Sequence, residues 1–242
     1  MRDLDAGLRE AVRHFWRTRQ QQATRQGDAE DRDRGARGAV TGGKQMDGFV
    51  HLVREPLISS NVPEDCIALG KRVELPGWFR AEKQWDLVIV HEGQLLAALE
   101  FKSQIGPSFG NNFNNRTEEA LGSATDIWAA YREGAFKPSS RPFLGYLMLL
   151  EDCDRSRSPV KVIEPHFRVF SEFRGASYRE CYAILIEKLL RDRLYDGACF
   201  LLSSAASAVT GDYVEPHAEL TFPKFVTPLL GHVGAMCAKR PS

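Results

Sequence analysis

The sequence predicts a single α/β domain over residues 1–242, built on a central mixed β-sheet with helices on both faces. Two short runs that are almost wholly apolar, 143–150 and 198–203, suit central strands covered on both sides. Amphipathic helical patterns separate these runs from each other and from an apolar hairpin over residues 85–104. Strands and helices therefore interleave along the chain, as they do in α/β domains.

Length and composition bound the class of protein without naming a function. The chain has 32 basic and 32 acidic residues, so its formal net charge is zero. This balance argues against a protein that coats nucleic acid by charge alone, although a local basic cleft stays compatible with it. The apolar runs fall short of the ~20 residues that span a bilayer. The five cysteines are scattered without metal-ligand spacing. We expect a cytoplasmic protein with reduced thiols and no membrane segment.

Helical spacing predicts the N-terminal elements. Apolar residues recur with a helical period over residues 4–25 and again over 44–54, and Pro56 is expected to stop the second helix. The segment between them, 27–43, is rich in glycine and charge and poor in apolar residues. Because such a segment buries too little surface to order itself, we expect a mobile loop.

The rest of the chain alternates strands and helices. Residues 67–75 read as one strand closed by Pro76 and Gly77, and the polar stretch 106–116 reads as a loop that leads into a helix. The remaining elements are predicted as a helix at 117–133, a strand at 143–150, a helix at 178–195, a strand at 198–203 and a weakly helical tail at 223–238.

Three charged residues stand in the apolar hairpin at 85–104. Asp86 begins the hairpin, and Glu100 and Lys102 form an acid–x–lysine triplet near its end. An unpaired ion taken out of water costs several kcal/mol, so charge on buried strands needs a reason. Two carboxylates and an ammonium at one sheet edge can hold a divalent metal and activate a water. This chemistry is that of metal-dependent phosphodiester hydrolysis.

The pleat of a strand directs Glu100 and Lys102 to one face and Phe101 to the other, into the core. The carboxylates of Asp86 and Glu100 are candidate Mg²⁺ ligands, with the backbone carbonyl of Phe101 as a further oxygen. Mg²⁺ usually keeps several waters, so one or two carboxylates suffice. Lys102 would orient the attacking water. The alternative is structural: Asp86 caps a strand, and the triplet is an ion pair at a strand end.

Strand register decides whether Asp86 can reach Glu100. A two-residue turn at Glu92 and Gly93 would place Asp86 opposite Leu99 and aim it away from Glu100. The site therefore requires a three-residue loop, or else a bulge between the turn and Asp86. An unbulged two-residue hairpin would contradict the metal site.

Polar side chains crowd the segment behind the triplet. Asparagine and glutamine can pair with adenine and arginine with guanine, and all of them can donate to phosphates. The N-terminus of the following helix adds free N–H groups that face an anion. The alternative is that asparagine and glycine fill turns and caps. Directly after a nuclease-like triplet we favour DNA contact. The candidate DNA-binding residues are Gln104, Asn111, Asn112, Asn114, Asn115 and Arg116.

The chain resembles the XhoI-type restriction endonucleases in four segments, which occur in the order EAVRHFW, WDLVIV, LEFKSQ and SFGNNFNNRTEEALGSATDIW. These enzymes belong to the wider group of nucleases with an Asp…(Asp/Glu)-x-Lys site. The resemblance spans about residues 9–204. It implies a restriction-endonuclease-like fold and a type II enzyme. Such an enzyme is a homodimer that cuts both strands of DNA at the palindrome CTCGAG with Mg²⁺, leaving 5′ overhangs with 5′-phosphates.

The resemblance places the catalytic positions at the three charged residues of the hairpin. The group often has a proline before the first aspartate, where this chain has Trp85. Many relatives also place a glutamate of an N-terminal helix beside the metal, and Glu10 or Glu55 could serve here. Two other functions stay open: a repair or junction-resolving nuclease with the same site, and a DNA-binding module without catalysis. The intact charged triad argues against the second.

Overall fold

The computed structural model describes residues 4–27 and 44–237, with side chains for all of these except residues 25–27. The strands are β1 (Ile67–Leu69), β2 (Glu74–Pro76), β3 (Glu82–Gln84), β4 (Leu87–His91), β5 (Gln94–Gln104), β6 (Phe143–Glu151) and β7 (Gly197–Ser203). The longer helices are α1 (Leu4–Gly27), α2 (Asp47–Ser59), α3 (Phe109–Arg132), α4 (Tyr178–Arg191) and α5 (Phe222–Cys237). Single helical turns lie at Lys44–Met46, Glu64–Cys66, Asp154–Arg157, Ser171–Phe173 and Ser207–Thr210.

The main sheet has five strands in the order β1-β4-β5-β6-β7, and β2 and β3 form a separate antiparallel pair. The first three strands of the main sheet are antiparallel neighbours, whereas β5, β6 and β7 run parallel. The start of β4 therefore lies at the same edge of the sheet as the carboxyl ends of the parallel strands. This arrangement brings the two ends of the charged hairpin together.

Helices cover both faces of the sheet, which confirms the predicted fold class. On one face, α1, α2 and α5 pack with Leu99 and Phe101 into a single buried cluster. On the other face, α3 and α4 pack with Ala98 and Tyr146. Alternate residues of β5 thus enter different cores, as the pleat requires. Both β6 and β7 are buried on both faces, in agreement with their apolar sequences.

Two predictions in the N-terminal half were wrong. Pro56 does not stop α2, which continues to Ser59 because the additional turn buries Leu57 completely. The expected single strand at 67–75 is divided into β1 and β2, which belong to different sheets. The chain turns between them at Gly70 and Arg72, whose φ angles of 66° and 60° do not fit an extended strand.

The Asn-rich stretch was predicted as a loop but forms the first turns of α3, which begins at Phe109. Phe109 and Phe113 lie one helical turn apart and face α4. The ring of Phe109 stacks on Tyr178 at 5.7 Å, and the ring of Phe113 meets Tyr182 edge-on at 5.0 Å. This packing outweighs the low helix propensity of the asparagines.

The other predicted elements are present with small changes in their limits. The helix expected at 178–195 ends at Arg191, and the weakly helical tail forms the regular helix α5. Most of the expected mobile loop, 28–43, lies outside the described residues. None of the described helices is long and apolar enough to cross a membrane.

Candidate active site at the β4–β5 hairpin

The hairpin turn has two residues, Glu92 and Gly93, with φ angles of 49° and 75°. Such left-handed pairs suit the mirror-image turns that short hairpins favour. With an unbroken register, this turn would place Asp86 opposite Leu99 and direct its side chain away from Glu100. A two-residue turn without any irregularity in the strands would therefore keep Asp86 and Glu100 on opposite faces of the sheet, where they could not form one site.

A bulge restores the register that the site requires. The pairing of the two strands shifts immediately before Val90. Between this point and the turn, β5 contains one more residue than β4. Beyond it, Leu87 pairs with Leu99. The residues just outside this pair, Asp86 and Glu100, therefore share a face of the sheet. The prediction of an odd loop or a bulge is confirmed in its second form.

Glu100 is a buried carboxylate held by two lysines. It is 2% exposed, and its Oε1 lies 2.7 Å from Nζ of Lys102 and 3.0 Å from Nζ of Lys83. Burial favours a raised pKa for Glu100, but the charges of the two lysines outweigh it and lower the pKa. Burial likewise opposes the charge of Lys102, whose pKa is nevertheless raised by Glu100. At neutral pH the pair is an anion and a cation.

The second oxygen of Glu100 lacks a partner. Its Oε2 is buried and makes no hydrogen bond within the described part of the chain. The neighbouring residue on β6, Tyr146, also has a buried hydroxyl without a partner there. A buried polar atom left unsatisfied costs about 1–3 kcal/mol, and more for a charged group. A hard cation that takes oxygen ligands, such as Mg²⁺, fits this free carboxylate oxygen.

Asp86 is fixed beside the triplet by the backbone. Its Oδ2 accepts a hydrogen bond from the N–H of Phe101 at 2.6 Å. Burial raises the pKa of Asp86, against the opposing effects of this hydrogen bond and of the charge on Lys102. The Phe101 side chain is 3% exposed and enters the core on the opposite face, as predicted. The backbone carbonyl oxygen of Phe101 remains a predicted further ligand of the metal.

Sequence reasoning missed Lys83. This residue lies on β3, in the small sheet, and its side chain is 13% exposed where it meets Glu100. Its Nζ also lies 4.1 Å from the centre of the Trp85 ring. The only signal in the sequence was its position three residues before Asp86, because contact between the two sheets depends on packing.

Comparison with known proteins identifies the family of this chain. The family model described as restriction endonuclease XhoI matches residues 24–215. The chain belongs to this family.

Three relatives are named type II restriction enzymes. BstVI of Geobacillus stearothermophilus is 50% identical over 215 residues, which cover 87% of this chain and 96% of that protein. XhoI of Xanthomonas vasicola is 42% identical over 190 residues, covering 78% and 76%. AbrI of Azospirillum brasilense is 48% identical over 168 residues, covering 69% and 75%. No solved structure gives a significant match.

The XhoI-family chain is thus a type II restriction endonuclease, a site-specific deoxyribonuclease that acts on DNA. This class decides against the two functions that the sequence left open, a repair nuclease and a DNA-binding module without catalysis. The structure divides the predicted DNA-binding residues into three groups.

The first group is a stripe on α3. Asn111, Asn114 and Asn115 are exposed and recur at the helical spacing of three and four residues, so they share one face. Asn112 is half-buried beside them. The restriction endonuclease thus presents its predicted base-reading asparagines on a rigid helix rather than on a loop.

The second group is Arg116, which lies on the inward side of α3. Its guanidinium pairs with Glu119, and its Nε is buried without a hydrogen-bond partner in the described chain. Its charge acts on Lys102, where it opposes the rise in pKa. Arg116 therefore lies near enough to Lys102 for the two positive charges to repel each other.

The third group is Gln104, and here the prediction of DNA contact is corrected. Gln104 is 3% exposed. Its amide nitrogen donates to the carbonyl oxygen of Phe109 at 2.9 Å, and its amide oxygen accepts from the hydroxyl of Tyr182. Both ends of the amide are thus used inside the protein. Through these two hydrogen bonds, Gln104 connects the end of β5 to α3 and α4.

The two N-terminal glutamates lie away from the candidate site. Glu10 and Glu55 line a groove between α1, α2 and α5, on the opposite face of the sheet. Glu10 accepts a hydrogen bond from Arg13 at 2.8 Å. Within residues 4–27 and 44–237, no group of three or more His, Cys, Asp or Glu side chains could hold a metal ion. The candidate centre of this XhoI-family enzyme contains the carboxylates of Asp86 and Glu100.

Proposed function

We propose that this restriction endonuclease is a Mg²⁺-dependent homodimer that hydrolyses DNA at CTCGAG and leaves 5′ overhangs with 5′-phosphates. One observation carries the catalytic part: a bulge aligns Asp86 with Glu100, whose Oε2 is buried and unpartnered beside two lysines. The target sequence rests on the resemblance to XhoI-type enzymes, which the family match supports.

Asp86 and Glu100 would hold the metal through their carboxylates, with the carbonyl oxygen of Phe101 as a further ligand. These are oxygen donors of the kind that Mg²⁺ prefers. When bound, the metal would stabilise the negative charge that builds on the phosphate and on the leaving 3′-oxygen.

Lys102 would orient the attacking water and favour its deprotonation through its positive charge. Because Glu100 raises the pKa of Lys102, this ammonium keeps its proton and is not the general base. The water oxygen bonds to phosphorus, and the bond from phosphorus to the 3′-oxygen breaks. The attacking water gives one proton to solvent and the leaving 3′-oxygen takes one from solvent, so the products are a 5′-phosphate and a 3′-hydroxyl.

Two copies of the chain would act together. CTCGAG reads the same on both strands, so its two scissile phosphates are related by a two-fold axis. A homodimer with the same symmetry places one active site on each strand. Sedimentation of the protein with and without a CTCGAG duplex tests this: a species of one chain on the duplex would contradict the dimer.

Digestion of a plasmid with a single CTCGAG site tests the activity. We expect linear product with Mg²⁺ and none with EDTA, and no cutting after one base pair of the site is changed. Run-off sequencing should end at a 5′ overhang, and end-labelling by a kinase should require prior removal of the 5′-phosphate. Cutting at other sequences would overturn the target, and equal cutting in EDTA would overturn the metal.

Paired variants test the residues. Glu100→Gln and Lys102→Ala should abolish cutting, whereas Glu82→Gln and Lys71→Ala, at exposed positions, should cut like the wild type. Discrete cutting at the wild-type rate by either hairpin variant would overturn the site assignment.

A further inference from the structure

Lys83 is a second ammonium at Glu100, and the catalytic roles above do not use it. It approaches Oε1 of Glu100 to 3.0 Å, the same oxygen that Lys102 approaches to 2.7 Å. Building on the proposed function, we propose that Lys83 makes metal binding depend on DNA. Its charge opposes a divalent cation in the DNA-free enzyme and attracts the scissile phosphate.

One lysine already provides the ion pair that a buried carboxylate needs. Lys102 does so from the same strand as Glu100, two residues away. Lys83 arrives from a different sheet and adds a second positive charge to the same oxygen, while Oε2 keeps no partner. The positive charge of the second ammonium is therefore more than the buried carboxylate of Glu100 needs. This additional charge acts on any ligand that binds beside Glu100.

The position of Lys83 is fixed by its surroundings. Its Nζ lies 4.1 Å from the ring centre of Trp85, which is 3% exposed, and it donates to the carbonyl oxygen of Gln84 at 3.3 Å. An ammonium over the face of an indole ring is attracted by the ring electrons. Trp85 stands where the wider nuclease group often has a proline, so in this chain the residue before the catalytic aspartate supports the second lysine.

The charges around Glu100 balance without a metal. Asp86 and Glu100 supply two negative charges, and Lys83 and Lys102 supply two positive charges, while Arg116 is paired with a glutamate of its own helix. A divalent cation added to this neutral cluster leaves a net charge of plus two. The phosphate of DNA removes one of these charges, so metal and DNA bind more tightly together than separately.

Replacing Lys83 should change the two affinities in opposite directions. Lys83→Met removes the charge and keeps an apolar stem against Trp85. Mn²⁺ should bind the DNA-free variant about tenfold more tightly than the wild type, a coupling of the usual size. In EDTA, a CTCGAG duplex should bind the variant about fivefold more weakly, because one cation facing the phosphate is lost.

Titration calorimetry of Mn²⁺ and fluorescence anisotropy of the labelled duplex measure these two constants without any cleavage. A merely structural Lys83 would weaken both when replaced, so Mn²⁺ affinity that stays equal or falls in Lys83→Met overturns the proposal. Lys83→Arg should restore both wild-type values, and Lys71→Met, at an exposed position, controls for the loss of one positive charge.

A second neutral variant, Lys83→Gln, must show the same opposite changes, with circular dichroism melting as the check on folding. If Lys83→Met unfolds, Lys83→Gln decides. If the wild type cuts no DNA, the proposed function fails, whereas the Mn²⁺ affinities of the DNA-free proteins still confirm or refute the effect of the charge.

Discussion

The carboxylate of Asp86 accepts a hydrogen bond from the backbone N–H of Phe101, 2.6 Å away. This bond joins the residue before β4 to the middle of the acid–x–lysine triplet on β5. It exists because the bulge near Val90 shifts the pairing of the two strands by one residue. A local irregularity near the turn thus determines which side chains meet at the other end of the hairpin.

Asp86→Asn should separate the charge of this residue from its structural role. The asparagine oxygen can still accept from Phe101, so the melting temperature should change little, whereas cleavage should fall about a thousandfold because a metal ligand worth several kcal/mol is lost. Asp86→Ala should lose the acceptor as well and be about 1–3 kcal/mol less stable. Single-turnover cleavage and urea unfolding of both variants measure this. Cleavage by Asp86→Asn within tenfold of the wild type would contradict the assignment.

Gln104→Leu should destabilise the protein without changing its target. The substitution leaves the hydroxyl of Tyr182 and the carbonyl of Phe109 without their buried partner, at a cost of about 1–3 kcal/mol each when no water replaces it. Urea unfolding should therefore show a lower free energy of unfolding. Below the melting temperature, the plasmid fragments should be those of the wild type. A relaxed or altered target would show instead that Gln104 contacts DNA.

Asn114→Ala should weaken the discrimination of CTCGAG from duplexes with one changed base pair. Asn114 belongs to the exposed stripe on α3, and an asparagine that pairs with adenine contributes about 1–3 kcal/mol of discrimination. Competition binding against a set of singly substituted duplexes would show the loss at one position of the site. Thr125→Ala, exposed further along the same helix, is the matched control and should leave the discrimination unchanged. Uniform weakening on every duplex would indicate phosphate contact instead.

Asp126 should stabilise the β2–β3 hairpin in a pH-dependent way. It is 3% exposed; its Oδ1 accepts from the N–H groups of Trp78 and Phe79 at 2.8 Å each, and its Oδ2 accepts from Arg80 at 2.7 Å. Burial favours a raised pKa for Asp126, but the hydrogen bonds and the charge of Arg80 outweigh it and lower the pKa.

A carboxyl group with a lowered pKa in the folded state stabilises the protein above the pKa of the unfolded chain, about 3.9, and loses this effect as the pH falls through the folded value. Asp126→Asn should therefore cost about 1.5–3 kcal/mol at pH 7, as expected for hydrogen bonds to a charged group. Its stability should also fall less steeply than that of the wild type below about pH 5. Urea unfolding from pH 7 to pH 3 measures both effects, and parallel curves would contradict the role of the charge.

The geometry of the acid–x–lysine triplet could be predicted because it is local. Glu100 and Lys102 are two residues apart on one strand, and the pleat directs them to the same face in any fold. The sequence indicated that the site needs a bulge or a longer loop, but it did not show where a bulge would lie. The turn at Glu92 and Gly93 can be followed by paired strands with or without a bulge. Lys83 could not be predicted, since no pattern along the chain reveals which residue of one sheet meets the other sheet.

At the asparagines, the composition of the sequence predicted the wrong local structure. Asn111 and its neighbours have low helix propensity, so the segment reads as a loop by composition. Phe109 and Phe113 carried the contrary signal, a pair at helical spacing, and their packing on α4 decides the conformation. Gln104 was grouped with the asparagines as a candidate DNA contact, but it ends β5 and is buried, whereas Asn111 is exposed on α3.

By itself the sequence determined the α/β class, the two fully buried strands, the charged hairpin and the likeness to XhoI-type enzymes. These features depend on residue period, apolar content and motif order, all of which are local or linear along the chain. The tertiary structure alone decided the register of Asp86 on Glu100, the second lysine and the burial of Gln104. Each of these is a contact between separate segments, and such contacts form only when the strands pair and the helices pack around them.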